Sequence, residues 1–340
     1  MLWYDHTITE TKQRIPIRYV NISRQHIFKS GIHHRKERGE IMKKTVIAAV
    51  LAGALALGAL PFAAFAGETE VSTEAASGEL EKITVAASST PHAEILEFAK
   101  PLLKAKGYDL EYTVFDDYIQ PNNVVESGEF DANYFQHINY LNAFNKEHGT
   151  HLVDAGDIHY EPFGIYPGTK SSLDDVADGD VIAVPNDTTN EARALLLLEA
   201  NGLIKLKDGV TINATKLDIE ENPHNLDIEE FDAESVSEHT GDAAFVVLNG
   251  NYALQAGLNA GSDALAVEAA DSAAIQQYVN IIAVKEGSEN EPKIKALVDV
   301  LKGDEVKKYI EDTYKGAVVP FEGSVEASTE AETEAATEAE

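Results

Sequence analysis

Between about residue 82 and residue 321 the chain alternates short, β-branched apolar runs with stretches whose apolar residues recur at helical spacing. That alternation confines it to the α/β class. The runs KITVAAS (Lys82 to Ser88), DVIAVPND, DAAFVVL and YVNIIAV (Tyr278 to Val284) read as strands, bounded by turn-forming residues. From about His92 to Lys106, residues Ile95, Leu96, Phe98, Ala99, Leu102 and Leu103 fall on one side of a helix, which Pro91 can start and Gly107 can end. YDLEYTVFD forms a second strand and leads to a short helix around Val124 and Val125, with Pro121 in its first turn. FDANYFQ is then extended, and a helix covers about Asn139 to Glu147. TTNEARALLLLEANG reads as a helix capped by Thr188 or Thr189 and ended by Gly202. A final helix pair spans Pro292 to Tyr314. The expected core is a mainly parallel sheet with both faces covered.

The two ends of the chain do not fit this pattern. Met42-Lys43-Lys44 opens an Ala/Leu-rich run that closes on Ala64-Phe65-Ala66, the layout of a secretory signal over 42–66 cleaved near Ala66. Residues 1–41 lie upstream of a complete signal and are read as an extension outside the native protein, since Arg38-Gly39-Glu40 can be encoded by a purine-rich string like a ribosome-binding site. GETEVSTEAASGE and EGSVEASTEAETEAATEAE are too polar to bury a core, so 67–81 and 322–340 are expected to be solvated, disordered segments. With 58 Asp and Glu against 27 Lys and Arg, a net charge of −31 disfavours nucleic acid and anionic membrane as partners. The absence of Cys excludes disulfides, thiolate metal sites and a thiol nucleophile. Both methionines, Met1 and Met42, precede Gly67, so no sulfur remains beyond it; economy in a sulfur-poor setting and compositional drift both account for that.

The loop HYEPFGIYPG, punctuated by Pro162, Gly164, Pro167 and Gly168, divides the body. One lobe is expected to take 82–165 and 280–321 and a second 166–279, and two crossings between them make a hinge with a cleft. Open α/β sheets bind ligands beyond the carboxyl ends of their strands, where Tyr118, Phe135, His137, Asn249 and Asn280 are expected to fall. Phe135 and His137, two apart on an extended stretch, share a face, with Tyr140 one turn beyond; an aromatic wall of this kind suits a soft apolar side chain such as a thioether. For Phe135 alone, ordinary core packing is the simpler account.

Beyond residue 66 every basic residue is Lys except Arg193. A guanidinium offers a planar fork that grips a carboxylate with two hydrogen bonds, and the early turns of a helix favour a bound anion. The plainer account is a surface ion pair with Glu199 or Asp187. The seven histidines beyond residue 66 (His92, His137, His148, His151, His159, His224, His239) raise the question of a metal. His148 and His151 could ligate together, but exposed His at a helix end is common, and no metal site is assigned. No P-loop, GxGxxG, GxSxG or HExxH string supports catalysis.

The strings DDYIQPNNVVESGEFDANYFQHINYL, IAVPNDTTNEARALLLLEANGLIKLKDG, TKLDIEENPHNL, FVVLNGNYA and YVNIIAV, in this order over most of Lys82 to Phe321, resemble the methionine-binding lipoproteins of ABC importers, the MetQ/NlpA-type family. The resemblance implies a two-lobed periplasmic-binding-protein fold, type II-like, with a hinge and an interlobe cleft. It implies ligand contacts at Tyr118, Phe135, His137, Tyr140, Arg193, Asn249 and Asn280, no cofactor and no catalytic step. The aromatic residues would surround a thioether, Arg193 would hold an α-carboxylate, and the Asn amides would meet carboxylate or ammonium. The implied ligand is L-methionine or a close derivative, with another amino acid or a methionine-containing dipeptide as the alternative. The implied partner is an ABC permease with a separate ATPase, outside the cytoplasm. A secreted hydrolase using His137 and a structural surface protein are the readings from other classes. The family is usually tethered by a lipidated Cys; here AFAGE stands in its place, so no direct lipid anchor is evident.

Overall fold

The computed structural model describes residues 79–268 and 273–323, all within one compact unit, Ala75–Glu340. The expected signal, the upstream extension and most of both acidic tails lie outside the described residues.

The first sheet is assembled from both ends of the described chain. Strand β1 (Glu81–Ala87) pairs in parallel with β2 (Tyr108–Val114) and with β3 (Ala132–His137). After β4 (Leu152–Tyr160) the chain crosses to a second sheet made of β5 (Gly164–Pro167), β6 (Val181–Pro185), β9 (Asp227–Phe231), β10 (Phe245–Leu248) and β11 (Ala266–Val267). Within that excursion β7 (Lys205–Leu206) and β8 (Ile219–Glu221) form a separate small pair. The chain then returns through β12 (Val279–Lys285) and closes with β13 (Val319–Pro320), giving the orders β13-β4-β12-β3-β1-β2 and β11-β5-β10-β6-β9.

Each sheet has its own core. Ile83, Val85 and Tyr134 of the first sheet pack with Leu96 and Leu103 of α1 (Glu94–Ala105) and with residues of the later α6 (Pro292–Leu301) and α7 (Asp304–Tyr314), among them Leu297 and Ile310. Phe163, Ile182, Phe245 and Val247 pack with Leu195 and Leu198 of α4 (Thr188–Ala200). Between α1 and α4 lie α2 (Gln120–Glu126) and α3 (Ile138–His148), and α5 (Gly250–Gln255) follows β10 directly. The continuous apolar runs DVIAVP and FVVL suit strands buried on both faces, which explains why they were readable as strands.

Several expectations are corrected. Neither sheet is mainly parallel: β12 runs antiparallel to β3 and β4, and β5 antiparallel to β10 and β11. HYEPFGIYPG is not a single loop but the end of β4, a short crossing and all of β5. The expected break at 165/166 therefore falls inside a strand of the second sheet. The cap of α4 is Asp187, whose side chain accepts from the Asn190 backbone N–H, rather than Thr188 or Thr189. Asn280 sits at the start of its strand and not at a carboxyl end. Because β12 is antiparallel to β3, that start lies opposite His137 at the carboxyl end of β3.

The junction after β5 depends on a missing side chain. Gly168 donates its N–H to Ala244 O at 3.1 Å, and a Cβ there would lie 2.3 Å from Ala243 O and 2.8 Å from Ala244 O, backbone atoms fixed at the entry to β10. Gly168→Ala should therefore destabilise the protein by about 1–3 kcal/mol, the cost of overpacking. Denaturant unfolding measures this, and a change under about 0.5 kcal/mol, the scale of an ordinary surface substitution, would contradict the packing described.

Candidate functional site

Strand ends from both sheets converge on one cavity. Tyr118, Phe135, His137, Tyr140, Arg193, Asn249 and Asn280 all line it. None of the seven is more than 9% exposed, so the walls of the cavity are buried side chains. Gln136, Glu161, Asn190, Gly250 and Asn251 complete the wall and were not singled out from sequence.

One side of the cavity is aromatic. Phe135 and His137 come from β3, Tyr140 from the first turn of α3, and Tyr118 from the loop before α2. The Tyr118 ring centroid lies 5.6 Å from those of Phe135 and Tyr140, in tilted and edge-on arrangements, and Phe135 lies 6.0 Å from Tyr140. Hydrogen bonds fix two of these rings: Tyr118 OH donates to Asn251 Oδ1 at 2.5 Å, and Tyr140 OH donates to the Tyr118 carbonyl at 3.1 Å. Burial raises the pKa of both phenols, so they remain neutral donors.

The other side is polar and organised by Asn190. His137 Nδ1 accepts the Tyr140 backbone N–H at 3.1 Å, which leaves the proton on Nε2 to be donated to Asn190 Oδ1, also at 3.1 Å. Asn249 Nδ2 donates to the same Asn190 oxygen at 3.0 Å, while Asn190 Nδ2 donates to Asp187 Oδ1 at 2.9 Å. Desolvation, reinforced by the Arg193 charge, pushes the His137 pKa down from 6.5 to about 3, so the imidazole is neutral. Asn249 Oδ1 and Asn251 Nδ2 are buried with no hydrogen-bond partner among the described residues. An acceptor and a donor thus stand unsatisfied on residues that line the cavity, a costly state unless something polar occupies it.

Two ionic groups flank these amides. Arg193, in the second turn of α4, is buried and lies under the rings of Phe163 (4.6 Å) and Tyr278 (4.1 Å). Its partner is neither Glu199 nor Asp187: Nε donates to Glu268 Oε2 at 3.0 Å, and Nη2 donates to Glu268 Oε1 and to the Glu161 carbonyl at 3.1 Å. Glu161, on the crossing between the sheets, accepts from His159 Nε2 at 2.8 Å and from the Asn251 backbone N–H, with His92 Nε2 at 3.4 Å. Gly250 allows this approach, since a Cβ there would fall 2.6 Å from Glu161 Cβ. Burial holds His92 and His159 neutral, lowering their pKa values from 6.5 to about 4 and about 3, and it raises that of Glu161.

Among the described residues, the two histidines that gather around one carboxylate are therefore His92 and His159 beside Glu161, whereas His148 and His151 are exposed. Their hydrogen bonds account for the grouping. His159 Nδ1 meets Tyr134 OH at 2.5 Å, and His92 Nε2 meets Asn280 Oδ1 at 3.0 Å. Glu161 and Asn190 each left a faint trace in the sequence, one inside the EPFG crossing and one three residues before the solitary Arg. Nothing local marked them as wall residues.

Known proteins resemble this chain over most of its described residues. Residues 83–322 match the NlpA lipoprotein family. The methionine-binding lipoprotein MetQ of Bacillus subtilis is 44% identical over 285 residues, covering 82% of this chain and 99% of that protein. A crystal structure of a Ruminococcus gnavus protein assigned as a lipoprotein is 70% identical, with a TM-score of 0.71 over 71% of this chain and 100% of that one. A nutrient-binding protein from Burkholderia cenocepacia, solved bound to methionine, is 40% identical, with a TM-score of 0.67 over 70% of this chain and 99% of that one. The chain belongs to the NlpA lipoprotein family.

Proposed function

We propose that this protein is the extracytoplasmic substrate-binding receptor of an ABC importer and that its ligand is L-methionine. The observation that carries the reading is the division of one cavity into an aromatic wall and a polar end bearing both charges. Tyr118, Phe135 and Tyr140 suit a thioether chain, which favours aromatic edges. Arg193 is the counter-charge for an α-carboxylate, and Glu161 with the unpaired Asn249 Oδ1 suits an α-ammonium. Relatives named for methionine binding, and one solved with methionine bound, support the same ligand.

Lobe closure about the two crossings captures the ligand, and a permease driven by a separate ATPase receives it. No step of this scheme is catalytic. The chain reaches the outside through the signal over 42–66, cleaved near Ala66. The family name denotes lipoproteins, yet these 340 residues contain no cysteine, so retention at the cell surface by the permease itself is part of the proposal. Among the described residues no helix is long and apolar enough to cross a membrane.

Saturating L-methionine, at about 100 times its dissociation constant, should stabilise the protein by roughly 2.7 kcal/mol. Leucine, which lacks the sulfur, should do much less. Differential scanning calorimetry with both ligands tests this: equal shifts overturn methionine selectivity, and no shift with any amino acid overturns the receptor reading.

The neutral imidazoles make a second test. A base whose folded-state pKa is depressed contributes stability that is complete above its ordinary value and lost as pH falls toward the folded value. For His137 that window runs from 6.5 down to about 3. Its ring resonances should therefore stay flat from pH 8 to pH 5 in NMR titrations. A His137 midpoint near 6.5 would show that the imidazole is solvated and the wall open.

A further inference from the structure

The guanidinium of Arg193 faces the cavity, but most of its donors are engaged elsewhere. Nε and Nη2 form one edge of the planar group, and that edge is turned to the Glu268 carboxylate. Glu268 does not line the cavity. It stands just past β11, and it is held by more than the arginine. Tyr160 OH and the Phe163 backbone N–H (2.9 Å) both donate to its Oε1, and its own N–H donates to the Phe163 carbonyl at 3.0 Å. Four donors from β4, the crossing and α4 thus converge on one carboxylate 75 residues from Arg193 in sequence. The remaining nitrogen, Nη1, makes no hydrogen bond to any described residue, and the rings of Phe163 and Tyr278 restrict rotation of the plane.

We propose that Glu268 is a positioning residue: by occupying the Nε–Nη2 edge it fixes the Arg193 guanidinium so that Nη1 is the donor presented to a ligand carboxylate. The inference rests on the reading of the cavity as an amino-acid site. It changes the expected role of Arg193. A free fork would grip the ligand with two parallel bonds, whereas here the two-bond grip belongs to Glu268 and the ligand meets the opposite side of the group. The pairing also tempers the charge. A ligand carboxylate encounters an arginine already balanced by a fixed anion, so orientation rather than bare attraction decides binding.

Binding of L-methionine and of L-methioninamide, which lacks the carboxylate, separates positioning from general support of the fold. Titration calorimetry would compare wild type with Glu268→Ala, Glu268→Gln, Arg193→Ala and the double Glu268→Ala/Arg193→Ala variant. Glu268→Ala should weaken L-methionine by about tenfold or more, the scale of one charge-assisted hydrogen bond, and L-methioninamide by less than about threefold. Glu268→Gln, which keeps an acceptor for Nε, should recover part of the loss, and it carries the test alone if Glu268→Ala does not fold. In the Arg193→Ala background, removing Glu268 should bring no further loss. Parallel losses for the two ligands, undiminished L-methionine affinity in the Glu268 variants, or additive losses in the double variant would each overturn the assignment. A wild-type protein that binds neither compound sinks the amino-acid reading instead. The crystal structure of ligand-free Glu268→Ala then decides the positioning claim, which fails if the guanidinium keeps its orientation.

Discussion

A guanidinium withdrawn from water must be given a carboxylate and acceptors for its donors, and among the described residues the region between the two sheets meets that demand for Nε and Nη2 of Arg193. Its donors reach Glu268 and the Glu161 carbonyl, which lie on the two connections joining the sheets. Burying an ion pair rarely adds net stability over well-packed apolar residues, but breaking one by removing a single partner is costly. The pair is therefore better understood as a device for fixing geometry. It ties α4 to the first crossing and to the end of β11, two segments with which α4 shares no backbone ladder.

The same low-dielectric setting explains the protonation states around the cavity. His92, His137 and His159 are all too deeply buried to carry a proton near neutrality. Each is left with one donor and one acceptor, and the hydrogen bonds of His137 and His159 use both. The cavity therefore meets its occupant with one positive group, one carboxylate and a set of neutral dipoles. That combination favours a zwitterion over a simple anion or cation, because an unpaired charge would lie against buried walls without a partner.

Much of the fold was legible because the strands buried on both faces are uninterrupted apolar runs and because Pro and Gly bracket the helices. β4 escaped notice for the opposite reason: its middle, DAGD, carries two acids, and the Asp154 carboxyl, raised to about 7 by desolvation and by Asp157, is tolerated there only in the tertiary context. β5 was hidden among Pro162, Gly164 and Pro167, residues that ordinarily signal a loop. The seven expected wall residues could be named because the family resemblance covers them and because aromatic and amide groups stand at element boundaries. Asn190 and Glu161 could not, since their importance lies in partners brought close only by folding. Glu268 lies 75 residues from the arginine it holds, a distance across which sequence patterning carries no signal.

The position of β12 has a consequence for how the molecule is made. It lies between β4 and β3, near the middle of the first sheet, yet it is synthesised after the entire second sheet. Until it arrives, β3 and β4 have no partner between them, and the sheet that emerges first from the ribosome or the translocation channel has a gap at its centre. The second sheet, continuous in sequence from β5 to β11, needs no such late insertion. The order of completion is thus the reverse of the order of synthesis: the first sheet begins early and can be finished only when the chain has come back to it.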